Sequence, residues 1–341
     1  MELLTADWLG TPAWFWLAFA AIVLILTAFD LGVLHRRDKE MGIAESLKLS
    51  AFYIAVAMAF GGWVWFAKGA TSGVEYYTGY FIEKALSIDN VFVISTIFAF
   101  FAIAPKYQYR ALLWGILAVI VLRGAMIAGG AALVASAHWV MWIFAAFLVV
   151  TGVKMLFAGG AEPDIGNNRA LQFIARHMRV TKEHHAQHFF VKVPDAGKNG
   201  AGKNGTGNGT GKLVWAATPL FLALVVINLA DLVFAVDSVP AIFSITTDTF
   251  IVYTSNIMAI LGLRALYFAL AAMVHRFHYL KYALALVLVF IGAKILVADL
   301  VLGGAKFPPL LSLGVTLALI AGGVGWSLWK TRGEGQALPV A

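Results

Sequence analysis

The chain has 341 residues, 61% of them hydrophobic and 13% charged, with a net charge of +7 and a mean hydropathy of +0.84. A soluble domain of this composition would leave too much apolar surface in water, and a β-barrel would alternate in short segments, so the chain reads as an all-α polytopic membrane protein. The absence of cysteine excludes disulfides, thiolate metal ligands and thiol nucleophiles. The positive charge lies in loops between apolar segments, which points to topology signals and anionic lipid, with no nucleic acid partner.

Nine transmembrane helices are expected, at 13–34, 47–67, 76–102, 111–133, 138–158, 213–241, 250–273, 279–301 and 308–329. Each is near the 20 residues or so that cross a hydrocarbon core about 30 Å thick. The first is read as a retained span and not a cleaved leader: it lacks a basic start and ends at Arg36-Arg37 without a small-residue cleavage site. With the N-terminus outside and the C-terminus inside, eighteen basic residues fall in inner segments and only Lys68 and Lys306 in outer ones, the asymmetry the positive-inside rule requires. The sequence thus predicts an N-out, C-in protein of a single transmembrane domain, 1–341.

Two acidic motifs lie within spans three and six: Glu83-Lys-Ala-Leu-Ser-Ile-Asp89-Asn90 and Asp231-Leu-Val-Phe-Ala-Val-Asp237-Ser238. A carboxylate at the bilayer centre costs roughly 2.5–3.5 kcal/mol on insertion scales, so four in two related segments point to a cation path. Residues six apart on a helix differ by about 120°. Both acids of a pair therefore reach one ion only if the helix unwinds or the site lies between helices. Pro240 offers a cause of unwinding in span six, since it leaves the Val236 carbonyl without a donor; span three has no such residue. Asn90, Ser238 and Asn228 share a helix face with the motifs' first acids and are further candidate ligands. Asp30, near the end of span one, is a fifth intramembrane acid. This oxygen set suits a hard divalent cation and disfavours Cu(I) and Zn²⁺.

The motifs begin a longer match. Arg123 and Arg264 sit in similar contexts downstream, as do Lys154 and Lys294, with spacings of 31 and 30 residues. Spans 3–5 (76–158) and spans 6–8 (213–301) therefore read as two three-helix repeats. They enter the membrane from opposite sides, the inverted arrangement of secondary transporters. Arg123 and Arg264 are expected to balance the acids when no ion is bound and to release them when metal arrives. The competing account is that the five acids and five bases within spans (Lys84, Arg123, Lys154, Arg264 and Lys294) are ion pairs that fix packing. Lys84 is expected to point elsewhere or snorkel outward, and Lys154 and Lys294 to anchor span ends. Thr254 and Asn256 in span seven are secondary candidates.

Between the repeats, 159–212 is expected to be a cytoplasmic amphipathic helix followed by a flexible Gly/Asn/Lys linker at 194–212. His184 and His188, spaced i, i+4 with His177 and His185 nearby, form a candidate metal pair against the plainer reading of a solvated loop. The linker's GxxxxGK spacing lacks the Ser/Thr and the preceding strand of a phosphate loop. Its two glycosylation-like triplets face the cytoplasm in this topology.

The stretches FIEKALSIDNVFV, VIVLRGAMI, NLADLVFAVDSVPAIFSIT and TSNIMAILGLRALYF resemble the signatures of the TerC family of integral membrane proteins, with its Alx branch, in the LysE transporter superfamily. The resemblance runs over about 12–330. It implies a bacterial inner-membrane protein that exports Mn²⁺, with Glu83, Asp89, Asp231, Asp237 and Asp30 on the ion path; spacing alone reaches only a hard divalent cation. Proton antiport is the expected coupling. The alternative is a metal-delivering partner of the secretion machinery. No nucleophile–base pair stands out, so no enzyme is expected.

Overall fold

The computed structural model describes residues 6–34, 42–137, 139–157, 179–181, 188–194, 213–271, 279–300 and 307–331, without the side chains of 31–34 and Asp89. The expected amphipathic helix up to Met178, the linker from 195, and His177, His184 and His185 lie outside the described residues.

A short hairpin, β1 (Asp7–Trp8) with β2 (Thr11–Pro12), precedes α1 (Ala13–Leu34). Then come α2 (Ile43–Lys68), α3 (Ala70–Phe100), α4 (Pro105–Ser136) and α5 (Val140–Phe157). Strands β3 (Phe190–Pro194) and β4 (Leu213–Ala217) pair antiparallel. The chain continues as α6 (Pro219–Phe243), α7 (Thr249–Leu261), α8 (Leu263–Ala271), α9 (Leu280–Leu300) and α10 (Pro309–Lys330).

Seven of these helices are long and apolar enough to cross a membrane, and α7 with α8, bent by 41° at Gly262, makes an eighth. The helix α3 fails that test because Glu75, Glu83, Lys84 and Asp89 are spread along it, yet its 31 residues span about 46 Å. Only 17% of the apolar window of α10 and 28% of that of α1 is buried inside the protein. Such faces need hydrocarbon as their solvent. The chain is a multi-pass, all-α integral membrane protein.

Three local expectations change. Residues 213–217 are strand, not the start of span six: Thr218 caps α6 by accepting from the Phe221 amide, and Pro219 occupies its first turn, so the helix cannot begin earlier. Neither acidic segment is unwound, since α3 is continuous and α6 runs through Pro240 to Phe243. A proline three residues from the end disturbs only the last turn of a helix already held by its neighbours. The break falls instead in span seven, at Gly262, which a side chain could not occupy without meeting Lys84 Nζ at 3.0 Å and Tyr53 Cβ at 3.1 Å.

The helices pack so that α3 lies along α7, α4 along α6, and α5 along α9. Gly69, at φ +95°, turns α2 into α3 without a spacer. Aromatic rings of α1, α2, α3 and α7 (Phe15, Phe60, Tyr76, Phe250) form one buried cluster, with Phe15 and Phe250 edge to face at 5.6 Å.

Candidate buried ion site

Where α3, α4, α6 and α7 meet, a polar cluster is enclosed by apolar side chains. Its centre is Arg123 of α4, 1% exposed. The guanidinium donates from Nη1 to Glu83 Oε1 (2.6 Å), Ser238 Oγ (2.8 Å) and Asn256 Oδ1 (3.3 Å). It donates from Nε and Nη2 to the two oxygens of Asp231, at 3.2 and 3.1 Å. Asn256 Nδ2 donates to the other Glu83 oxygen at 2.9 Å, and Asn90 Nδ2 reaches Asp231 Oδ1 at 3.4 Å. Glu83 is fully buried and Asp231 8% exposed. Two buried carboxylates in so dry a place need a counter-charge and several donors, and Arg123 supplies most of both.

Each helix brings its members by spacing. Glu83 and Asn90 are seven apart on α3, as are Asp231 and Ser238 on α6, so each pair shares one face. The second acid of the α6 motif faces away. Asp237 is half-buried and lies against the Thr151 hydroxyl of α5, outside the cluster. The side chain of Asp89 lies outside the described residues. Asn228 Nδ2 donates within its own helix to the Leu224 carbonyl, at 2.8 Å. The structure thus brings together Glu83, Asp231, Asn90 and Ser238 of the expected ligands, and not Asp237 or Asn228. The physical reason is that both motif helices stay regular. Among the described residues no three acidic or imidazole side chains gather as metal ligands would.

Asp30 does not join the cluster either. It pairs with Arg264 of α8, whose Nη1 donates to the Tyr109 hydroxyl at 2.8 Å while the guanidinium stacks 4.4 Å over the Tyr109 ring. Tyr109 in turn donates to the Asp30 carbonyl at 2.9 Å, and Tyr53 lies beside the same carboxylate. This second cluster ties α1, α2, α4 and α8 at the end of the bundle where α3 turns into α4. At the opposite end, Lys68 of α2 binds Asp248, the N-cap of α7, at 2.6 Å and Thr11 at 2.7 Å.

Some residues do what their sequence context did not predict. Asn256, a secondary candidate, is central because it contacts both Glu83 and Arg123. Its partner, Thr254, bonds back to the Phe250 carbonyl of its own helix. Of the two alternatives for Lys84, it points elsewhere and does not snorkel: it donates to the Ala259 carbonyl at 3.2 Å, next to the break at Gly262. Lys154 is exposed, whereas Lys294 donates to Ser312 Oγ of α10 at 3.2 Å. Tyr109 carried no sequence signal beyond being an aromatic at a span end.

A small, mainly apolar cavity adjoins the cluster. Asn90 and Asp231 form its polar head, and Leu112, Ile116 and Val119 of α4 line its wall toward the α3/α4 turn.

A buried, charge-compensated oxygen cluster between apolar helices marks a multi-pass membrane protein with a polar interior. Residues 68–334 match the model of the integral membrane protein TerC family, and the chain belongs to that family. It is 43% identical to an uncharacterized membrane protein of Rickettsia bellii (strain RML369-C) over 91% of this chain and 95% of that one. It is 41% identical to the uncharacterized membrane protein STKORF319 of Myxococcus xanthus, over 95% and 94%. It is 40% identical to the protein of Escherichia coli (strain K12) described as "Putative membrane-bound redox modulator Alx", over 91% and 92%. No solved structure matches the chain.

Proposed function

We propose that this protein exports a hard divalent cation, Mn²⁺ above others, across a bacterial inner membrane. The observation that carries the reading is the meeting of Glu83 and Asp231, one from each acidic motif, with Asn90, Ser238 and Asn256 in a site without bulk water. Carboxylate, amide and hydroxyl oxygens are the donors a hard cation takes in place of its water shell. The choice of Mn²⁺ rests on the family resemblance.

In this reading the protein has nine spans, with α3 crossing despite its charges because Glu83 is compensated inside the bundle. Helices α3–α5 and α6–α9 are the two inverted repeats, and the reciprocal packing of α3 on α7 and α4 on α6 supports that assignment. With the N-terminus outside, the α3/α4 turn faces the cytoplasm and the cavity is the inner approach to Asp231. The carboxylates then bind the ion near the midplane, one repeat rocks against the other, and protons replace the departing metal. A redox-modulating role, as in the description of the Escherichia coli relative, would run through the cargo, since this chain has no cysteine for thiol exchange.

The test is flux in proteoliposomes. Mn²⁺ should move faster than Mg²⁺ or Ca²⁺, and a pH gradient should accelerate it. Glu83→Gln and Asp231→Asn should each lower the rate at least tenfold. Unchanged flux in both variants would falsify the site. Co-purification with secretion components but no flux in the wild type would favour the delivery role instead.

A further inference from the structure

Arg123 does more than neutralise the acids, because of where it stands. The cavity reaches Asp231 and Asn90, while Glu83 does not line it. Between the two carboxylates lies the guanidinium, with Nε and Nη2 on Asp231 and Nη1 on Glu83, Ser238 and Asn256. Arg123 stands one turn beyond Val119, and Val119, Ile116 and Leu112 form the cavity wall on the same stripe of α4. The cavity thus borders the Asp231 side of the site, and Glu83 lies behind the guanidinium.

We propose that Arg123 is a tethered competitor of the transported cation. It holds the five-oxygen site when no ion is present and must swing away before the ion gains Glu83. This deepens the transport reading above and rests on it. The physical logic is that a guanidinium and a divalent cation contend for the same lone pairs, and both cannot be satisfied at once. Because the competitor is covalently attached, it sits at a high local concentration, which lowers the affinity for the free ion and speeds its release. A Cβ on Gly124, the next residue, would come within 3.3 Å of the Tyr253 ring, so α4 packs closely on α7 beside Arg123. Exchange also means that the two carboxylates are never left together in the membrane without a cation.

The experiment uses the full chain in detergent and measures equilibrium binding of Mn²⁺ alone, by loss of the free-ion paramagnetic signal, alongside flux in proteoliposomes. Arg123→Gln removes the competitor and should bind Mn²⁺ at least tenfold more tightly than the wild type, while carrying it at least tenfold more slowly. Arg123→Lys keeps the charge but not the two-sided grip, and should fall between the two on both measures. If Arg123→Gln does not yield folded protein, the affinity ratio of Arg123→Lys to wild type decides. Combining Arg123→Gln with Asp231→Asn should abolish the gain in affinity. The proposal is overturned if the arginine variants bind no more tightly than the wild type, because Arg123 is then a packing tie alone. Lack of flux in the wild type would instead sink the transport reading. The affinity ratio would still decide the competition, since binding needs no transport.

Discussion

Gly152 of α5 and Gly292 of α9 occupy reciprocal places. A Cβ on Gly152 would meet the Ala285 carbonyl at 2.7 Å and Val289, and one on Gly292 would meet the Ala145 carbonyl at 2.6 Å and Val149. The partner numbers rise on one helix as they fall on the other, so the two helices run antiparallel. A two-fold relation exchanges them, which supports the inverted-repeat reading. Small residues are what let two helix backbones approach this closely in a membrane.

Alanine at either glycine should therefore destabilise the protein by about 1–3 kcal/mol, the usual cost of overpacking. Gly314→Ala on α10, where nothing lies within 4 Å, should change stability by about 1 kcal/mol or less. Tryptophan-fluorescence melting in detergent separates the two cases.

The Asp30–Arg264 pair is buried on both sides, at 7% and 1% side-chain exposure. Arg264→Gln leaves a carboxylate alone, and Asp30→Asn a guanidinium; each should cost about 3–5 kcal/mol. The double variant should cost clearly less than the sum. A double-mutant cycle on melting temperatures measures the coupling, and additive losses would show that the pair is not a unit.

At the other end, Asp248 has two tasks. It accepts from the amides of Phe250 and Ile251 to start α7 and also binds Lys68. Asp248→Ala should cost about 1–2 kcal/mol through the cap. Lys68→Met removes a partly exposed pair and the bond to Thr11, and should cost about 1 kcal/mol. The reverse order in chemical melts would show that the contact of Lys68 with Thr11 outweighs the cap.

Within the acidic motifs the effects should divide by position. Glu83 and Asp231 touch Arg123, whereas Asp237 lies against Thr151. Asp237→Asn should slow Mn²⁺ flux by less than a third of the loss seen in Glu83→Gln, measured in the same vesicles. Equal losses would place Asp237 on the ion path after all.

The class of fold was legible because lipid demands long apolar helices, and these leave an unmistakable pattern. The first acid of each motif was legible as well, since a seven-residue spacing puts Glu83 with Asn90 and Asp231 with Ser238. The place of Asp237 was not legible: a carboxylate in a span signals a functional demand, but only the regularity of α6 tells that it points to Thr151. The break at Gly262 escaped notice because Pro240 is the louder helix breaker, while a glycine bends a helix only when neighbours take up a carbonyl near it, as Lys84 does that of Ala259. Partner choice, which joined Arg264 to Asp30 and Arg123 to both motifs, is a tertiary matter that two similar sequence contexts could not distinguish.

Strands β3 and β4 are zipped from Phe190↔Ala217 to Pro194↔Leu213, directly before the cap of α6. The two ends of the 195–212 stretch are thus clasped side by side at a fixed anchor. Closure entropy grows only slowly with contour length, so a reporter domain spliced between them would hang from the clasp without tugging on Asp231. That makes this the natural seam for following the protein by fluorescence in living cells.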